Sequence, residues 1–126
     1  MTRKTFEIPG VDHGSAPIPM AAMIGNTFRS SGIPPTTAAT GEISADGAEQ
    51  VVAVFANAKA LLEAAGLSPA NVVYMDIFLE DNSLRSDINK QWLDWYPDEN
   101  RPARHITVRD LPGRYLIQLE IHAVAE

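Results

Sequence analysis

Arg104 closes the stretch Arg101-Pro102-Ala103-Arg104 and opens the strand-like run Ala103 to Val108. Proline fixes its own φ and biases the residue before it toward extended backbone, so the entry to this strand is stiff. The planar fork of a guanidinium matches a carboxylate bidentately, and one reading of Arg104 is a clamp for a ligand carboxylate. The other is an ion pair within the chain, the ordinary fate of an arginine.

Glu120 stands in the middle of a second strand-like run, two residues from Gln118 and two from His122. A carboxylate buried there could serve as a general acid or base. Equally, it could pair with an arginine across the sheet. His105 follows Arg104 directly and must point to the opposite face of its strand. No carboxylate stands at metal-motif spacing from His13, His105 or His122, so no metal site is expected. Asn89 falls beside the apolar stripe of a helical segment, where an amide is a mediocre helix former and a hydrogen-bonding role is plausible. Ser30-Ser31-Gly32, at a strand end, could offer backbone N–H groups to an anion.

The elements that must position these groups read as β-β-β-α-β-α-β-β. A strand from Lys4 to Ile8 ends at Pro9-Gly10. Ile18 to Ile24 is apolar at both parities, as a strand covered on both faces would be, and Gly25-Asn26 turns it into a hairpin. Asp46, with Glu49 three residues on, marks a helix start. Val51, Val52, Val54, Phe55, Ala58, Leu61, Leu62 and Ala65 follow at helical spacing, and Gly66 is placed to end the helix. Val73, Met75, Ile77 and Leu79 share one strand face. Ser83 is the expected cap of a second helix carrying Leu84, Ile88, Trp92, Trp95 and Tyr96, which Pro97 terminates. The last strand, Tyr115 to Ala125, sets Ile117, Leu119, Ile121 and Ala123 against Gln118, Glu120 and His122.

Two amphipathic helices cover one face of such a sheet, giving an α+β fold with a mixed sheet. The uncovered face is too apolar for solvent and too polar for a dry core, which points to an oligomer with polar clefts at its interfaces. The 126 residues suit a single domain, 1–126. A formal charge of −6 with no basic run argues against nucleic acid as a partner, and no apolar stretch approaches a membrane span. Cysteine is absent, which excludes disulfides and thiol nucleophiles. The charged N-terminus has no apolar run after it, so a cytoplasmic location is expected.

The segments IGNTFRSSGIPP, TGEISADGAEQVVAVFANAKALLEAAG, VVYMDIFLED, INKQWLDWYP, RPAR and LPGRYLIQLEIHAVA together resemble the RidA/YjgF family of enamine and imine deaminases. The resemblance implies a chorismate-mutase-like fold, a homotrimer with sites in the clefts between subunits, and chemistry without a cofactor. An imino acid would bind by its carboxylate and be hydrolysed to a keto acid and ammonia. The family's carboxylate-binding arginine falls on Arg104, its helix asparagine on Asn89, and its Ser-Gly turn on Ser31 and Gly32. Three positions depart from the pattern: Ile18 stands for a tyrosine, Ile106 for a cysteine, and Gln118 for the water-positioning glutamate. Glu120 lies on the same face as Gln118, about 7 Å along the strand, and could partly substitute. His13 could reach the cleft from a neighbouring chain. These departures resemble family members such as the aminomuconate-type deaminases of aromatic-ring degradation. A protein that binds small carboxylates without turning them over is the other reading.

Overall fold

A computed structural model describes residues 2–126. The helix α1 (Gly47–Ala64) begins where Asp46 accepts a hydrogen bond from the Ala48 amide at 2.9 Å. It ends with Gly66 at φ 76°, whose N–H reaches the Glu63 carbonyl while Leu67 N–H reaches Leu62. That paired closure satisfies the last carbonyls and needs a left-handed residue, the reason glycine stands there. Val51, Val54, Phe55, Ala58, Leu61 and Leu62 are buried along one side of α1, whereas Val52, expected in the same stripe, is exposed because its position turns it away from the sheet.

Six strands form one sheet in the order β1-β2-β3-β6-β4-β5. They are β1 (Lys4–Phe6), β2 (Ala21–Ile24), β3 (Thr27–Ser30), β4 (Val72–Leu79), β5 (Ala103–Val108) and β6 (Ile117–Val124). The chain order is the expected one, and α2 (Arg85–Trp95) links β4 to its parallel neighbour β5. A parallel pair requires such a crossover; every other pairing here is antiparallel. Gly25, at φ 59°, opens the two-residue turn between β2 and β3. Met75, Ile77 and Leu79 of β4 and Ile117, Leu119, Ile121 and Ala123 of β6 face the helices and are buried. Phe55 of α1 meets Trp95 of α2 edge-on at 5.2 Å, so both helices share that side of the sheet.

The structure corrects four further sequence expectations. β1 stops at Phe6, and Ile8 is buried from the loop beyond it. The strand expected over Ile18 to Ile24 is only Ala21–Ile24; Ile18 is 49% exposed in the loop before it. A register irregularity between Val72 and Tyr74 sets Val72 in the core and leaves Val73 exposed, against the alternation read from the sequence. Ser83 does not cap α2. Asp81 instead accepts from the Ser83 amide at 2.7 Å to start a single 3-10 turn, Asn82–Leu84, which runs directly into the helix.

Candidate functional site

Arg104 and Ile106 lie on the helix side of β5, since they align with Met75 and Ile77 of β4. β5 is an edge strand, at the opposite end of the sheet from β1, and α2 overhangs it. The Arg104 Nη2 donates to Asn89 Oδ1 at 2.7 Å, and the guanidinium stacks over Trp92, 5.0 Å from the ring centroid. Its Nη1 is buried and has no hydrogen-bond partner. Burial, then the nearby Arg85 guanidinium, lowers the Arg104 pKa from its ordinary value. Among the described residues the only ion pair is His13 with Glu7, so Arg104 is not engaged by a carboxylate of its own chain. Ile106 is half-buried against the core. Arg101, the other arginine of the stretch, donates from Nε to the Tyr96 carbonyl at 3.0 Å and holds the end of α2.

Gln118 stands on the opposite side of the sheet, aligned with Phe78 of β4. Its side chain lies against Gly32: a Cβ added to Gly32 would come within 2.5 Å of Gln118 Nε2. Ser31 Oγ donates to the Pro19 carbonyl at 2.8 Å, and its amide donates to Met20, which ties the segment carrying Ile18 to the same turn. Asn57 of α1 fixes the loop that follows by donating to the Pro34 and Thr36 carbonyls at 2.9 and 2.8 Å. The sequence candidates therefore form two groups. Arg104 and Asn89 make one; Ser31, Gly32, Gln118 and the Ile18 loop make the other, on the other face of the same sheet.

Glu120 shares the uncovered face with Gln118. Its partner across the ladder is Asp76, which aligns in turn with His105 on β5. A shallow depression beside it is lined by Arg29, Tyr74, Asp76 and His122, yet no arginine pairs with it. Tyr74 donates to Asp76 at 3.2 Å, and burial together with this carboxylate raises the phenol's pKa. His105 is exposed, and its Nδ1 lies 3.3 Å from Thr107 Oγ1. His13 Nε2 meets Glu7 at 3.1 Å in the N-terminal loop, and no other candidate contacts it. Among the described residues no three His, Asp or Glu side chains converge to hold a metal ion.

Sequence reasoning missed three groups around these sites. Trp92 reads as core, which it is, but its ring face is also the platform for Arg104. Arg85 carries no motif, and only its place one helical turn before Asn89 could have drawn notice. Asp76 emerges only once the register between β4 and β6 is known.

Comparison with known proteins places this geometry among relatives. The family model described as Endoribonuclease L-PSP matches residues 16–126. A RutC family protein of Haemophilus influenzae is 34% identical over 113 residues, covering 86% of this chain and 85% of that protein. The 2-iminobutanoate/2-iminopropanoate deaminase of Escherichia coli K12 is 31% identical over 124 residues, covering 96% and 97%. Among solved structures, RidA from an Antarctic Psychrobacter superposes with a TM-score of 0.86 at 28% identity, covering 97% of this chain and 99% of that one. The YjgF product of Escherichia coli gives 0.86 at 29% identity, covering 98% and 99%. No helix among the described residues is long and apolar enough to cross a membrane.

Proposed function

The chain belongs to the RidA/YjgF family, and on that premise we propose that it hydrolyses a small imine or enamine carboxylic acid to a keto acid and ammonia. One observation carries the reading: the Arg104 Nη1 is buried without a partner in a guanidinium already oriented by Asn89 and Trp92. A buried donor left unpaired is costly, and a substrate carboxylate satisfies it. The relative named for deamination of iminobutanoate and iminopropanoate acts on substrates of this type.

The two groups of candidate residues lie on opposite faces of one sheet and do not meet within a chain. A homotrimer resolves this by setting the Arg104–Asn89 group of one copy against the Gly32–Gln118 group of the next. In that cleft Gln118 holds a water by its amide, and the water oxygen adds to the imine carbon. The nitrogen takes up protons and leaves as ammonia, and the keto acid forms. Gln118 cannot accept the water's proton; Glu120, the nearest carboxylate on that strand face, is the acceptor we assign. No cofactor enters these steps. The net charge of −6 works against the RNA cleavage in the family model's name, since binding a phosphate backbone relies on cationic neutralisation.

The test generates imines of several amino acids in situ and measures keto acid and ammonia released by wild type and by Arg104→Lys. Lysine keeps the charge but loses the fork, so keto-acid binding should weaken roughly ten- to a hundredfold. No release from any imine, with keto acids still bound, would make the protein a carboxylate binder. Unchanged affinity in folded Arg104→Lys would remove Arg104 from the site.

A further inference from the structure

Arg85 has no role in the reading above, yet it stands beside the site. It is the first residue of α2, four before Asn89, so both project from one side of the helix, one turn apart. Asn89 is the residue that holds Arg104. Arg85 Nε donates to Asn82 Oδ1 at 3.0 Å, which orients its fork, and no carboxylate lies within 4.0 Å of it among the described residues. Asp87, the one acid of that first turn, pairs with neither arginine. Arg85 is exposed to solvent. It stands close enough to Arg104 to lower that guanidinium's pKa, second to the effect of burial.

We propose that the Arg104 site is built for a ligand with two carboxylates, the second held by Arg85 while Arg104 holds the first. This rests on the carboxylate reading of Arg104 and narrows it to a substrate class: the imine or enamine of a dicarboxylic acid. A dianion would lie between two guanidinium groups that no carboxylate engages among the described residues. Arg85 is then a specificity-determining residue that leaves the hydrolytic step unaltered.

Calorimetric titration of the full chain with 2-oxobutanoate and with 2-oxoglutarate tests this, on wild type and on Arg85→Gln. Wild type should bind the dicarboxylate roughly tenfold more tightly, the lower end for a charged hydrogen bond. Arg85→Gln should erase that preference and leave 2-oxobutanoate affinity within twofold. Equal affinities in wild type overturn the proposal while leaving the carboxylate reading of Arg104 intact. Loss of both ligands in folded Arg85→Gln makes the residue structural and also overturns it. If neither keto acid binds wild type, the carboxylate reading itself fails and the proposal with it. A third ligand, 2-phosphoglycolate, separates the sources of the second charge. An Arg85-dependent gain seen only with phosphoglycolate overturns the dicarboxylate assignment.

Discussion

Gly32→Ala perturbs the candidate site through one contact, and its effect can be worked from the geometry. The added Cβ would stand 2.5 Å from Gln118 Nε2 and 2.8 Å from Cδ, with no backbone atom among its nearest neighbours. Ordinary contact begins near 3.4 Å, so the amide must move by about 0.9 Å from its 2.5 Å position. The φ of Gly32 is not positive, so alanine adds no backbone strain. Replacing glycine by alanine at a compatible site stabilises by about 0.4–1 kcal/mol through the unfolded chain. Pushing a side chain off its rotamer costs about 0.5–1.5 kcal/mol. These nearly cancel, so the melting temperature should stay within roughly 4 °C of wild type. Catalysis should not be spared, because a displacement of about 1 Å in a positioned group can cost about 10²-fold in rate. Keto-acid affinity through Arg104 should be unchanged. The assay is single-turnover imine hydrolysis on wild type, Gly32→Ala, Gln118→Ala and the double variant. If Gly32 acts only through Gln118, adding Gly32→Ala to Gln118→Ala lowers the rate no further. A wild-type rate in Gly32→Ala, or the same factor lost in both backgrounds, would refute the reasoning.

Glu120→Gln should lower single-turnover hydrolysis by about 10²–10⁴-fold, the usual cost of losing a general base, with keto-acid binding retained. A rate within a few-fold of wild type would take Glu120 out of the mechanism. Light scattering at micromolar concentration should return a mass of three chains, and a monomer would leave the two residue groups unable to meet. Burial pushes the Tyr96 phenol up from its usual value near 10, and its O–H donates to the Pro69 carbonyl at 2.7 Å. The folded state thus favours the protonated form. The stability this contributes is complete below about pH 10, where the unfolded phenol keeps its proton too. It declines as pH rises beyond that point. Urea melts between about pH 8 and 11 should show a shallower alkaline decline in Tyr96→Phe, with an equal slope contradicting the assignment.

Much of the architecture was legible in the amino-acid order because burial leaves a local period. The 3.6-residue stripe of α1, its Asp46 cap and its Gly66 stop are satisfied within a few residues of themselves. The strict alternation of β6 separates Ile117, Leu119, Ile121 and Ala123 from Gln118, Glu120 and His122 without reference to any neighbour. Arg104 could be singled out on the same local terms, from the stiffness of its lead-in. What surrounds Arg104 could not. Whether it paired with an acid depended on α2 crossing above the edge strand, which brings Asn89 and Trp92 onto it and keeps carboxylates away. Those contacts join residues 15 and 12 apart in the chain, and no period encodes them. The same holds for Val73, whose expected place in the core went to Val72 through an irregularity that only pairing with β6 creates. Glu120 gained Asp76, rather than an arginine, as its neighbour by register alone. Periodicity reports which side of an element is buried, and it is silent on what another element brings there. The separation of Arg104 and Gln118 onto opposite faces is therefore a property of the assembled sheet, decided by strand order and register together.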